Sequence, residues 1–159
     1  MNAQKFTQKS LEAIQSAQSI ALSHQNQQIE QVHLLAALLQ QDGGLIPQLL
    51  KKMGVTVESL DAAVEAEIDK LPAVTGSGRE PDKYYIARAV DTVLNGAESL
   101  AESMKDDFVS VEHIFLALID HADSTLSRVF QTYQIKKESV LKTLMNIRGN
   151  QRVTTDSPE

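Results

Sequence analysis

The chain contains no cysteine. It therefore has no disulfide framework, no thiolate nucleophile and no thiolate metal site. Chains without disulfides are typical of reducing compartments, and we expect a cytoplasmic protein. The first residues lack the charged start and apolar core of a signal peptide. The longest apolar run, Leu34 to Leu39, is far shorter than the ~20 residues that span a bilayer, so no membrane segment is predicted.

Basic residues are also scarce. Lysine and arginine total 15 against 21 acidic residues, a net charge of −6, which disfavours nucleic acid as a partner because phosphate binding needs clustered positive charge. The sequence has no phosphate-binding loop, no His-Glu-x-x-His zinc motif and no nucleophile elbow. We therefore expect no catalytic residue, no metal site and no cofactor in this chain. The four histidines, which are interpreted as structural imidazoles, are His24, His33, His113 and His121.

An internal repeat accounts for most of the chain. A shift of 80 residues brings His33 onto His113 and Leu38 onto Leu118, and it pairs apolar with apolar residues over a long span without a gap. Within each half the apolar residues recur at three- and four-residue steps, the period of helices that bury one face. The sequence predicts an all-α fold: two tandem, pseudo-symmetric four-helix repeats packed into one globular domain.

Local signals predict where helices begin and end. Thr7 is a suitable N-cap for the first helix, and Gly54 suits the left-handed end of the third. Pro72 is expected to end the fourth helix. In the second half, the apolar pattern predicts a long helix from Ile86 to Met104, and Ser110 caps the helix that follows.

These signals divide the chain into segments. The domain is predicted over residues 1–148, with a first repeat over 1–71, a linker over 72–82 and a second repeat over 83–148. The linker is rich in glycine, proline and serine and has no period. The polar tail over 149–159 has no apolar face to bury, so we expect a flexible tether that leads to a module absent from this chain.

Several motifs resemble the double Clp-N domain that opens Clp-type AAA+ unfoldases. The matching motifs are Phe6-Thr7, Ala21-Leu22-Ser23-His24, Ile29-Glu30-Gln31-Val32-His33-Leu34 and Gly43-Gly44. The segment from Ile147 to Thr154 looks like the one that follows this domain in ClpB-type disaggregases. The resemblance covers essentially the whole chain.

The resemblance implies the N-terminal domain of a hexameric chaperone that threads aggregated proteins through its central pore. Its partners would be unfolded or aggregated proteins and a DnaK-type chaperone system. ATP and Mg²⁺ would bind in ATPase modules absent from this chain, which by itself is not an enzyme. The isolated domain is expected to be a monomer.

The resemblance also implies a polar cluster that affects chaperone activity, at positions that look like Thr7, Asp106 and Glu112. The residues alone allow a simpler interpretation. Thr7 then serves as a helix cap, Asp106 lies in a solvated loop, and Glu112 complements the dipole of the helix it begins.

An apolar groove for unfolded polypeptide is the second implied feature. The corresponding positions look like Leu94, Leu100 and His113, where His113 replaces what is often a leucine in the family. The helical spacing of the two leucines fits a buried stripe equally well, and the pattern leaves both interpretations open.

Two alternatives remain. An N-domain of the ClpC or ClpA type would dock adaptors and partner a protease. In the ClpC type, glutamates in both halves help to recognise phosphorylated arginine, whereas this sequence has Val32 where the second half has Glu112. That difference favours the disaggregase. A free-standing Clp-N interaction protein is the other alternative, and the polar tail argues against it.

Overall fold

The computed structural model describes residues 1–74, 85–149 and 151–156. Within these residues, the first repeat follows a 3₁₀ turn (Ala3–Lys5) and consists of α1 (Gln8–Ser23), β1 (Gln28–Ile29), α2 (Gln31–Gln40), α3 (Leu45–Lys52) and α4 (Val57–Asp69). The second consists of β2 (Tyr85–Ile86), α5 (Arg88–Ser103), α6 (Val111–Asp120), α7 (Ser124–Thr132) and α8 (Lys137–Arg148). No helix in this described part combines the length and the apolar character that crossing a membrane requires.

The helices confirm the repeat. α5, α6 and α8 begin 80 residues after α1, α2 and α4, and α7 begins one residue earlier than this rule gives. Left-handed turn residues repeat as well: Gln25 and Lys105 have φ of 57° and 61°, and Gly54 and Gln134 have φ of 82° and 55°. The predicted all-α fold of two four-helix repeats is therefore confirmed.

α2 and α6 form the centre of the domain. Every residue from Gln31 to Leu39 is buried, and so is every residue from Val111 to Leu118. Each of the two helices contacts helices of both repeats. The repeats therefore share one core, as expected for helices that are apolar nearly all round.

The segments before α1 and α5 are exchanged between the repeats. Phe6 pairs with Val109 of the second repeat, and Ile86 pairs with Ile29 of the first, both in parallel register. The apolar pattern predicts Ile86 inside the long helix, but its backbone makes this pairing and its side chain is 43% exposed. α5 begins only at Arg88.

The predicted caps match the structure. The hydroxyl of Thr7 accepts a hydrogen bond from the amide of Ser10 at 3.2 Å at the start of α1. Ser110 is the N-cap of α6, and its amide donates to Nδ1 of His113 at 2.9 Å. Gly54 adopts the expected left-handed conformation after α3. The polar side chains and the glycine thus cap the helices at the positions that the local sequence predicts.

The end of the chain differs from the expected tail. Residues 151–156, here named the strap, lie against the second repeat and the start of α1, and Val153 is only 4% exposed. The amides of Asp107 and Phe108 donate to the carbonyl of Val153 at 2.7 and 3.3 Å. A single valine in a polar stretch has no period, which is why the sequence pattern predicts no buried residue here. The rest of the expected tether, residues 150 and 157–159, lies outside the described residues.

The expected linker lies mostly outside the described residues, but its first three residues show how the first repeat ends. Ala73 pairs with Asn26, and the amide of Val74 donates to the carbonyl of Gln25 at 2.7 Å. Ala73 and Val153 are 80 residues apart. Both repeats therefore end in a short segment that lies against the turn after their first helix.

A buried glutamine joins the two repeats. Gln31, the first residue of α2, is completely buried. Its side-chain amide donates to the carbonyls of Ala89 and His121 at 3.1 and 2.8 Å, and its oxygen accepts from the amide of Asp123 at 2.8 Å. One side chain thus connects α2 to the first turn of α5 and to the turn between α6 and α7.

Candidate functional site

Two buried histidines occupy equivalent positions in the repeats. Nδ1 of His33 and of His113 accepts a hydrogen bond from the amide of the N-cap residue of its helix, at 2.8 and 2.9 Å. Nε2 lies 2.8 Å from Oδ1 of Asn26 in the first repeat and 2.7 Å from Oδ2 of Asp106 in the second. Because Nδ1 accepts, the neutral ring carries its proton on Nε2 and donates to these oxygens.

Burial keeps both rings neutral. Burial, with a smaller contribution from the nearby His24, lowers the pKa of His33 to about 4. Burial also lowers the pKa of His113, although the carboxylates of Glu112 and Asp106 act in the opposite direction. A neutral imidazole that both accepts and donates is therefore the stable form near pH 7.

The network of the second repeat also contains a buried ion pair. Nη2 of Arg148 donates to Oδ1 of Asp106 at 2.6 Å, and the amide of Val153 donates to the same oxygen at 2.8 Å. Burial by itself raises the pKa of the Asp106 carboxyl, but its hydrogen bonds outweigh burial and hold that pKa below its usual value. The equivalent positions of the first repeat are the uncharged Asn26 and Ile68.

Glu112 lies beside this ion pair. It is 4% exposed, accepts a hydrogen bond from the hydroxyl of Ser110, and places Oε2 3.7 Å from Nη1 of Arg148. In the described part of the chain, Nη1 has no hydrogen-bond partner. One guanidinium is thus shared by Glu112 and Asp106. The position equivalent to Glu112 in the first repeat is Val32, which is buried and uncharged.

Thr7 belongs to a buried pair of hydroxyls. Its hydroxyl donates to Oγ of Ser10 at 3.0 Å, and the hydroxyl of Ser10 donates to the carbonyl of Val109 at 3.0 Å. The equivalent positions of the second repeat are Ala87 and Val90, which have no hydroxyl. The pair therefore occurs at only one of the two pseudo-equivalent ends of the domain.

Thr7 and Glu112 line a common cleft of about 350 Å³. Its walls are the first turns of α1 and α6, the turn between α2 and α3, the end of α8 and strap residues 151–153. The exposed residues Lys9 and Arg152 also line it and add positive charge. The side chain of Asp106 is fully buried and does not line the cleft. The structure thus places two of the three predicted polar residues in the lining of one cleft, where Glu112 is 4% exposed and Thr7 lies beneath the surface at 0%.

The positions expected to form an apolar groove do not form one. Leu94 is 1% exposed and His113 is completely buried, so neither side chain lines an open groove. Leu100 is half-buried and lines a separate groove of about 560 Å³ with Gly96 and His121. Six residues turn an α-helix by about 600°, which leaves Leu94 and Leu100 about 120° apart. Leu94 therefore faces the core, and Leu100 lies at its edge.

The cleft offers hydrogen-bonding and charged groups rather than a metal-binding set. Within residues 1–74, 85–149 and 151–156, no three histidine or carboxylate side chains are grouped so that they could hold a metal ion.

The structure is an all-α repeat domain, in which two interleaved four-helix repeats share one core. A polar cleft lies at the end where the symmetry of the repeats is broken. The family model described as the Clp repeat (R) N-terminal domain matches residues 5–133. The chain belongs to this Clp N-terminal domain family.

Curated relatives support this assignment over the full chain. The chain is 44% identical over 159 residues to the chaperone protein ClpB of Bacillus anthracis and 40% identical over 160 residues to ClpB of Nitratidesulfovibrio vulgaris. Each match covers 100% of this chain and 18% of the relative. The chain therefore corresponds to the N-terminal region of these chaperones and spans less than a fifth of their length.

Solved structures share the fold. The Hsp104 N-terminal domain from Candida albicans has a TM-score of 0.82 at 23% identity, with 96% of this chain and 97% of that chain covered. A complex of a ClpV N-domain with a VipB peptide has a TM-score of 0.68 at 20% identity, with 96% and 91% covered. At these identities the likeness shows the fold alone.

Proposed function

We propose that this chain is the substrate-engaging N-terminal domain of an ATP-dependent protein disaggregase. The whole protein would be a hexamer that binds ATP and Mg²⁺ in modules outside this chain and works with a DnaK-type chaperone system on aggregated proteins. The proposal is supported by similarity to ClpB chaperones over all 159 residues. This domain would hold unfolded polypeptide at the entrance to the pore.

The proposed contact surface is the cleft lined by Thr7 and Glu112. The observation that carries this choice is the broken pseudo-symmetry of the domain. The equivalent positions of the other repeat are occupied by Ala87 and Val32, which have neither a hydroxyl nor a charge. The fold therefore forms without such groups at the equivalent positions, and here they lie beneath a cleft that is open to a ligand. A distantly related ClpV N-domain in complex with a peptide is consistent with peptide binding by this fold.

The cleft favours weak binding. Its volume of about 350 Å³ holds a few side chains of a peptide, and ordering the peptide consumes much of the free energy gained by burial. We expect a dissociation constant in the micromolar range or weaker, which corresponds to a binding free energy of about −8 kcal/mol or less favourable. Six domains on one hexamer would raise the overall affinity through avidity and still permit release into the pore.

An NMR titration tests the proposal. The isotopically labelled chain is titrated with reduced, carboxymethylated α-lactalbumin, a permanently unfolded protein, and the affinity is compared between two variants. Glu112→Gln removes a carboxylate from the first turn of α6 at the cleft. Glu138→Gln removes an exposed carboxylate from the first turn of α8 and is the matched control for charge and helix position.

Shifts around Thr7 and Glu112, weakened in Glu112→Gln and unchanged in Glu138→Gln, would support substrate capture by the cleft. Shifts along the groove that contains Leu100 would move the contact surface to that groove. No shift at high micromolar concentration would reject direct capture and favour an adaptor-docking domain.

A further inference from the structure

The strap is attached to the domain at several points. Beyond the contacts of Val153, the carbonyl of Asp156 accepts from the amide of Gln8 at 2.8 Å, so the strap reaches the first turn of α1. The guanidinium of Arg152 donates to the carbonyl of Met104 at 2.9 Å. Because Val153 is buried between these attachments, the strap forms part of the folded surface.

Asp106 is the buried side chain to which the strap is hydrogen-bonded. Its Oδ1 accepts from the amide of Val153, and the same oxygen is fixed by Arg148. Its Oδ2 is fixed by His113 at 2.7 Å. The side chain of Asp106 is 0% exposed, so a ligand in the cleft cannot touch it. An effect of Asp106 on binding must therefore pass through a neighbour that does line the cleft.

Two neighbours of Asp106 line the cleft, Arg148 and the strap. Arg148 is also paired with Glu112, so the strap is the neighbour whose attachment depends on the Asp106 carboxylate. Residues 151–153 form one wall of the cleft, and Glu112 lies on another wall. Removing the strap would open the cleft on one side and expose the buried carboxylate. A ligand that contacts both walls stabilises the docked strap, and the docked strap strengthens ligand binding by the same factor.

We infer that Asp106 is a positioning residue, which holds the strap as a wall of the cleft and acts on the ligand through that wall. The ligand-binding part of this inference rests on the proposed function, whereas the attachment of the strap does not. Arg148 supports the same contact because it fixes the oxygen that accepts from the strap.

The first measurement follows the strap in the free protein by amide hydrogen exchange of the full 159-residue chain. In Asp106→Ala, the amides of Gln8 and Phe108, which donate to the strap, should lose protection by roughly tenfold or more, while the amides of α2 keep theirs. Asn26→Ala is the matched control at the equivalent position of the first repeat. This control should expose the amide of Val74 and leave the amides of Gln8 and Phe108 protected.

Val153→Pro is a second variant, which removes the amide that donates to Asp106 and replaces the buried valine side chain, while Asp106 itself is unchanged. It is informative even if Asp106→Ala fails to fold. Full protection of the Gln8 and Phe108 amides in Val153→Pro, and in Asp106→Ala where it folds, would overturn the inference, whatever the binding results are.

The second measurement links the strap to the cleft. With carboxymethylated α-lactalbumin as the ligand, Asp106→Ala and Val153→Pro should each raise the dissociation constant by about fivefold, the lower end of coupling between sites. The double variant should bind as weakly as either single variant, because both changes undock the same wall. The coupling would be refuted if the increase in the dissociation constant of the double variant equalled the product of the two single increases. It would also be refuted if the strap undocked and the affinity did not change.

The two proposals fail in different ways. If the unchanged chain does not bind the unfolded protein, the proposed function fails, and the exchange data still decide whether Asp106 holds the strap. If binding is observed but the strap stays docked in both variants, the positioning role fails and substrate capture stands.

Discussion

Replacement of Gln31 by leucine is expected to weaken the contact between the two repeats. Gln31 is completely buried and makes three hydrogen bonds to backbone groups of the second repeat, to Ala89, His121 and Asp123. Leucine has a similar volume and no polar atoms. The substitution thus removes the three hydrogen bonds with little change in packing and isolates their contribution.

The magnitude follows from the number of bonds. A typical hydrogen bond contributes about 1 kcal/mol to stability, and more where the partner left behind is shielded from water. The backbone partners of Gln31 are only partly buried, so water can reach some of them after the change. We expect Gln31→Leu to lower the free energy of unfolding by about 2–3 kcal/mol.

Urea unfolding followed by circular dichroism measures this change, provided that the slope of the transition is unchanged. Gln48→Leu is the control, because Gln48 is exposed and donates a single hydrogen bond to Gly43. The control should change stability by less than about 0.5 kcal/mol. A loss in Gln31→Leu no larger than in the control would refute the idea that this side chain joins the repeats.

Three further predictions concern stability. Because the pKa of His33 falls from 6.5 to about 4 on folding, the unfolded chain binds the proton first. Stability should then fall by up to about 3 kcal/mol as the pH drops from 6.5 to 4; urea midpoints that stay constant over this range would contradict it. Gly96→Ala should stabilise α5 by up to about 1 kcal/mol through helix propensity. Its new Cβ meets Nε2 of His121 at 2.8 Å, so a lower melting temperature would mean that this exposed ring cannot rotate away. Gln134 has φ of 55°, and Gln134→Gly should raise the urea midpoint by relieving a strain of about 1 kcal/mol, offset in part by the entropy of glycine; a lower midpoint would count against that strain.

Much of the fold follows from local patterns in the sequence. The helices and the caps at Thr7 and Gly54 depend on residues a few positions apart, which a helical period or a single turn reveals. The 80-residue repeat is visible when the sequence is compared with itself. The absence of a charge at Val32 is equally visible in the sequence, and it shows that the two repeats differ at the site. The resemblance to the family supplied the roles expected of Thr7, Asp106 and Glu112.

The tertiary structure decided which of these groups meet. The partners of Gln31 lie 58 to 92 residues away, and the exchanged segments at Phe6 and Ile86 are too short to show a period. Val153 gives no sign in the sequence that it is buried over Asp106. The sequence by itself determined the helices, since each depends on neighbours along the chain. Only the tertiary structure determined the cleft, because its walls come from segments that are distant in sequence and meet only when both repeats share one core.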